Sequence, residues 1–301
     1  MDIALLIDSL DMYKGTNVDS YLDGWGNENN GISHAFHRMK EYIREEKKIS
    51  VLYFGNEFCE YMLPNKTEIM KFMSLCISDN LKPVFVTSVV SDWGIKRIED
   101  VLECLNKYDV DIEIIVNDVG VLELIQHHYT KFKITLGRIF DKTSHDSRAS
   151  MQELEYYYGE EGLRFARTPG ILSEETMEIF TRYNVERYEF DLPKIGLNLP
   201  PKGKFSLYWP YHYLTTGRVC SLRASRLCNR EKFLVGNNVC SRPCRYIQIE
   251  KRKPLNGFGY SNEKKMNDMF LFQKGNTVFY LYEEDDFEKN AKQFDRIVLQ
   301  V

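Results

Sequence analysis

No run of about 18 consecutive apolar residues occurs in this chain, which excludes a helix that spans a membrane. The opening MDIALLIDSLDMYKG has no basic stretch ahead of its short apolar run, and Asp2 and Asp8 flank that run, so no export signal is expected. Neither sign of charge dominates. Forty basic against 44 acidic residues leave a net charge of −4, too little to steer the protein to nucleic acid or a membrane surface, and neither is expected as a partner. Histidine is scarce at six residues, and none forms the His-Glu-x-x-His pattern of zinc proteases. The nucleophile elbow Gly-x-Ser-x-Gly and the phosphate-binding Gly-Lys-Ser/Thr loop are also missing. No repeat of about 20–50 residues and no low-complexity tract is visible. With 43% hydrophobic and 28% charged residues, the composition is that of an ordinary folded globule.

Cysteine is present and unevenly spread. Seven occur in 301 residues, and Cys220, Cys228, Cys240 and Cys244 fall within VCSLRASRLCNREKFLVGNNVCSRPCRY. An odd count without an export signal points to a reducing, cytoplasmic setting, where gathered thiolates bind a soft metal centre rather than pair as disulfides. The spacing is C-x7-C-x11-C-x3-C. Zinc ribbons favour two short knuckles, and only the last pair has that form, whereas iron–sulfur clusters accept ligands from separated loops. Cys59 adds a fifth thiol at the end of the run VLYFGNEFCEY; Cys76 and Cys104 lie at helical positions among apolar neighbours and read as core thiols.

Short apolar runs alternate with longer amphipathic stretches. Strands are predicted at Ile3–Ile7, Ser50–Phe54, Pro83–Thr87, Ile112–Val116, Phe132–Leu136, Arg187–Phe190, Phe205–Tyr208 and Arg296–Leu299. Helices are predicted at His34–Lys47, Lys66–Asn80, Ile95–Tyr108, Val119–His128 and Glu174–Tyr183, the last starting at Ser173. Eight strands alternating with helices predict an α/β fold, a (β/α)8 barrel, with a doubly wound open sheet as the alternative. The chain reads as one barrel domain over residues 1–301. An insertion at 139–172 follows the fifth strand and carries a helix at Met151–Tyr158 and an extra strand at Leu163–Arg167. A cysteine-bearing excursion at 210–290 precedes the last strand and contains a hairpin, Met269–Gln273 with Thr277–Tyr282, turned at Lys274-Gly275-Asn276. The connection 9–31 is long enough to be a lid, a partner contact or a plain surface loop.

The run C-x7-C-x11-C-x3-C followed by Arg245 resembles the cysteine motif of the collagenase-like peptidase U-thirty-two family. VLYFGNEFCEY, KPVFVTS, IEIIVNDVGVLELI and FKITLGR are similar to successive barrel strands of a branch of that family, the small subunits of oxygen-independent ubiquinone-pathway hydroxylases. That branch also carries a cysteine four residues after the glycine of its second strand, as Gly55 and Cys59 do here. The resemblance implies a 4Fe-4S cluster on Cys59, Cys228, Cys240 and Cys244, with Cys220 as the alternative fourth ligand in place of Cys59. The Cys228–Cys240 spacing is one residue shorter than in the branch. The implied activity is oxygen-independent hydroxylation of a small aromatic or heterocyclic substrate, with prephenate as hydroxyl donor. A heterodimer with a second family member is also implied. Two alternatives stay open: a non-catalytic iron–sulfur partner subunit, and a zinc-stabilised peptidase.

Asn117 and Asp118 follow the fourth predicted strand and Arg138 the fifth, the rim on which barrels carry substrate-binding groups, although Asp118 equally suits a helix cap. Arg218, Arg223, Arg226, Arg230, Arg242 and Arg245 thread the cysteine motif, where they could offset a cluster's negative charge or bind an anion. Arg230 and Arg242 read as surface residues, and Arg226 is the substrate-binding candidate among the six.

Overall fold

A computed structural model describes residues 1–22, 34–46, 48–141, 143, 145, 151–193, 195–228, 230–233, 240–251, 271–281 and 290–301. Eight parallel strands close into a barrel. In chain order they are β1 (Asp2–Ile7), β2 (Val51–Gly55), β3 (Lys82–Val86), β4 (Glu113–Val116), β5 (Lys133–Leu136), β6 (Val185–Phe190), β7 (Phe205–Trp209) and β12 (Arg296–Gln300). Closure comes from β1, which pairs with β2 on one side and with β12 on the other. All eight predicted strands are found, each within two residues at either end. Their near-continuous apolar character follows from burial on both faces. Ala4, Val51, Tyr53, Val84, Val86, Ile115, Tyr208 and Val298 fill the interior, while Leu5, Leu52, Phe54, Phe85 and Ile114 belong to the larger core under the helices.

The helices are α1 (Asp19–Leu22), α2 (His34–Arg44), α3 (Lys66–Asp79), α4 (Asp92–Leu105), α5 (Val119–His128), α6 (Met151–Arg167), α7 (Glu174–Thr181) and α8 (Ser221–Ala224). Helix α3 begins with a reciprocal cap, in which the Asn65 side chain accepts from the Glu68 N–H and the Glu68 carboxylate from the Asn65 N–H. Phe72 of α3 packs on Phe54 of β2 with ring centroids 5.2 Å apart, joining helix to barrel. Ser173 caps α7, as expected, by accepting from the Thr176 N–H.

The insertion differs from expectation. Leu163–Arg167 is the second half of α6 rather than a strand, and Gly159, with φ of 68°, kinks the helix midway. No residue of α6 is buried. Of the connection 9–31, residues 23–31 lie outside the described part. The remainder packs down, with Tyr21 and Leu22 buried and the Tyr21 hydroxyl donating to the Gly15 carbonyl.

Between β7 and β12 the chain builds a second, antiparallel sheet of β8 (Tyr211–Thr216), β9 (Gln248–Lys251), β10 (Leu271–Lys274) and β11 (Thr277–Leu281), ordered β8-β11-β10-β9. The predicted hairpin is β10–β11, and Gly275 at its turn has φ of 64°. Met269, Phe270 and Tyr282 of that prediction lie outside the described residues.

A polar column runs inside the barrel. Tyr53 and Tyr208 donate their hydroxyls to opposite oxygens of Glu189, and Arg296 joins Tyr53 to Glu113. Burial, reinforced by Glu57, pushes the Glu189 carboxyl up to about 8. The folded chain therefore keeps a proton that the unfolded chain releases near 4.5. This contribution to stability is complete below about pH 4.5 and is lost as pH rises toward 8, at no more than roughly 1.4 kcal/mol per pH unit. Urea unfolding between about pH 5 and 8 should show the native chain losing stability relative to Glu189→Gln. Parallel profiles would exclude a protonated Glu189.

Candidate functional site

The C-terminal ends of the barrel strands face the second sheet and enclose a cavity of about 130 Å³. The segment after β2 forms one wall, and its geometry follows from its sequence. A side chain at Gly55 would meet the Val86 carbonyl oxygen at 2.1 Å, and its φ of +139° also favours glycine. The Asn56 side-chain oxygen then accepts from the N–H groups of Phe58 (3.0 Å) and Cys59 (2.8 Å), bending the chain so that Glu57, Phe58 and Cys59 all line the cavity. Phe58 packs against Tyr213 and Phe279 of the second sheet, at 5.1 and 5.7 Å between centroids. Asn276 of the hairpin turn donates to the Phe58 carbonyl at 2.6 Å, Gln300 to the Tyr211 carbonyl at 2.5 Å, and Lys274 pairs with Asp8 at 3.2 Å. The sheet is thus bonded to the barrel mouth on several sides.

Cys59 and Cys244 both line this cavity. Burial pushes the Cys59 thiol up to about 12, and the nearby thiols of Cys244, Cys220 and Cys240 act in the same direction. Burial likewise pushes Cys244 up to about 11, with Cys220 and Cys240 again adding to the effect. Cys220 and Cys240 thus lie in the neighbourhood of the two thiols that line the cavity. Cys228 is exposed and is not among the groups that act most on either buried thiol. The family resemblance names Cys59, Cys228, Cys240 and Cys244, with Cys220 as the alternative to Cys59; of these, Cys59 and Cys244 stand in the cavity wall and Cys228 is exposed. The single-turn helix α8 starts directly after Cys220. Met62 places its sulfur 3.8 Å from Cys244 Sγ, and the Arg242 N–H donates to Cys240 Sγ at 3.4 Å.

The donor set suits a soft centre larger than one ion. Tetrahedral zinc, with Zn–S of about 2.3 Å, draws its sulfurs to within about 4 Å of one another. Among the described residues, no three of these thiols lie within 4.8 Å of each other. A cubane cluster holds its ligand sulfurs further apart, and N–H donors to sulfur tune such clusters.

The other candidates have mostly structural work. Asn117 is buried, donates to the Thr87 carbonyl at 2.8 Å and fills the space that a side chain at Gly137 would need. Asp118 caps α5 by accepting from the Gly120 N–H at 2.8 Å, and it also receives the Val90 N–H. Neither lines the cavity, so both substrate-binding expectations give way to roles in the fold. Arg226 is exposed, and its guanidinium donates to Ser241 at 3.3 Å, tying the two ends of the cysteine motif together away from the cavity. Arg242, read from sequence as a surface residue, instead adopts φ of 52° and donates to the Leu63 carbonyl at 3.1 Å. Arg245 reaches the Asp8 carbonyl at 3.0 Å. These two arginines anchor the cysteine segment to the barrel.

Arg138 does line the cavity, yet its guanidinium is fully committed. It forms a forked pair with Glu57, donates to Asp191 at 2.6 Å and to Gln300 at 3.3 Å, and stacks 3.6 Å above the Tyr208 ring. An anion arriving in the cavity would have to displace one of two carboxylates.

No family model, curated protein or solved structure matches the chain. What can be said about function therefore rests on the site itself. Among the described residues no helix is long and apolar enough to cross a membrane.

Proposed function

We propose that this chain is an iron–sulfur protein that carries a 4Fe-4S cluster on Cys59, Cys220, Cys240 and Cys244 and supports oxygen-independent hydroxylation of a small aromatic or heterocyclic substrate. The observation that supports the reading is that Cys59 and Cys244, far apart in the chain, share the wall of a cavity at the C-terminal end of a barrel, with Cys220 and Cys240 in their neighbourhood. Converting R–H to R–OH with the elements of water releases two protons and two electrons, and a cluster supplies the one-electron path to an external carrier. The chain's own groups would do the rest. Phe58, Tyr211, Phe272 and Phe279 offer flat apolar walls to a ring, and the amides of Asn56, Gln248 and Asn276 offer polar contacts at its edge. The paired Lys274 is the cation that a carboxylate-bearing hydroxyl donor such as prephenate would meet.

One observation favours a second reading, in which the chain is the cluster-bearing partner of a larger family member. Helix α6 has no buried residue and exposes Tyr156, Tyr157, Tyr158 and Phe165. Hydroxylation by the isolated chain would retire that reading.

The test of the cluster is iron, acid-labile sulfide and zinc content after strictly anaerobic purification, together with the visible spectrum. About four irons and four sulfides per chain are expected. One zinc without sulfide would overturn the proposal and leave a zinc-stabilised barrel.

A further inference from the structure

Away from the thiols, across Arg138, three more metal-binding side chains converge. His145 comes from the insertion after β5, Asp191 from the residue that follows β6, and His212 from β8 of the second sheet. Each offers one ligand atom, and these atoms lie within 4.8 Å of one another. Asp191 and His212 are buried, at 0% and 1% exposure, whereas His145 is half-buried and forms the open side of the group.

From this geometry we infer that His145, Asp191 and His212 form a mononuclear site for a divalent transition ion. Two imidazoles and one carboxylate suit the borderline ions Zn²⁺, Fe²⁺ and Co²⁺, and three protein ligands leave positions open for water or a substrate oxygen. The inference does not rest on the cluster reading, because the two centres share no ligand.

The surroundings are those of a built site. The Nδ1 atom of His212 is hydrogen-bonded to the Tyr280 hydroxyl, so its coordinating nitrogen is Nε2, and the second partner fixes the ring as outer contacts fix metal-bound histidines elsewhere. Asp191 is oriented from two directions, by Arg138 at 2.6 Å and by the Tyr213 N–H at 3.3 Å. The His145 ring lies against Tyr213 with centroids 4.3 Å apart. Just ahead of His145, the Asp141 carboxylate receives both the N–H (3.0 Å) and the hydroxyl (2.8 Å) of Thr143, which shapes the segment that delivers the histidine. Charge points the same way. One guanidinium, Arg138, faces two buried carboxylates, Glu57 and Asp191, and a cation on Asp191 offsets the surplus.

The experiment is a titration of the full, chelator-treated chain with Co²⁺ alone, under anaerobic conditions, read by equilibrium dialysis and by absorption. Cobalt held by nitrogen and oxygen gives weak visible bands, and cobalt held by thiolate adds an intense near-ultraviolet charge-transfer band. One cobalt per chain is expected to bind with the weak visible bands and no thiolate band. His145→Ala, a half-exposed position whose loss the fold tolerates, should weaken that binding about tenfold or more, while Cys59→Ser should leave it unchanged. Tyr280→Phe, which keeps the ring and removes the outer contact, should weaken it by a smaller factor. Cobalt that binds only with a thiolate band, or equally well to His145→Ala, would overturn the inference.

Discussion

Replacing Cys220 by serine is expected to abolish the 4Fe-4S cluster, whereas Cys228→Ser should retain it in full. Cys220 lies in the neighbourhood of Cys59, which lines the cavity, whereas Cys228 is exposed. Each loss would be read as iron and sulfide per chain and as the visible absorption of the anaerobically purified variant. Both positions lie at the surface or near it, so the fold should tolerate either change. The result also chooses between two ligand sets. If Cys228→Ser loses the cluster and Cys220→Ser keeps it, the set implied by the family resemblance is correct and the proposed set is not. Loss in neither variant would exclude a cluster built on this motif.

The second large effect falls on Arg138. Arg138→Met keeps most of the apolar bulk but strips the cation from between Glu57 and Asp191, which are both buried. Removing one partner of a buried ion pair costs about 3–5 kcal/mol, because the charge left behind has no compensation. Burial already holds the Glu57 carboxyl above its ordinary value, and Arg138 is the main influence in the opposite direction. Without the guanidinium the Glu57 carboxyl should favour the protonated form. The variant's stability deficit should therefore be smallest at acid pH and grow as pH rises through neutrality. Urea unfolding of Arg138→Met at about pH 5 and pH 8 would check this. A deficit under about 1 kcal/mol, or one that does not vary with pH, would show that the pair is dispensable. A substrate-binding role alone predicts normal stability and a changed KM.

The barrel was legible because most of its strands are buried on both faces and so read as apolar runs with amphipathic helices between. Runs such as VLYFG and KPVFV could have been buried helix only if they were longer. Strands β8 and β9 were not legible. Tyr211–Thr216 mixes Tyr, His and Thr and follows β7 after a single residue, and Gln248–Lys251 alternates weakly beside the cysteine motif. These strands are stabilised by pairing with β10 and β11 rather than by a strong pattern of their own. The extra strand expected at Leu163–Arg167 failed because a five-residue stretch of mixed apolar and basic residues does not by itself reveal whether it belongs to a longer helix.

For the site, local chemistry was readable and convergence was not. Gly55 and Cys59 stand out because their roles are set within one turn, and Asp118 as a helix cap depends only on the residues that follow it. Arg138 looked like an open rim cation, since nothing nearby in sequence announces Glu57, 81 residues away, or Asp191, 53 residues away. His145, Asp191 and His212 carry no spacing signature at all, because they come from three different connections. By itself, the sequence determined the strands of the barrel and the rim position of Cys59. Hydrophobic periodicity and local turn chemistry act over a few residues and are written directly in the chain. Only the tertiary structure decided which thiols share the cavity wall, which charges are already paired and which histidines share a carboxylate. Those outcomes depend on how the second sheet closes over the barrel mouth, a contact between segments far apart in the chain.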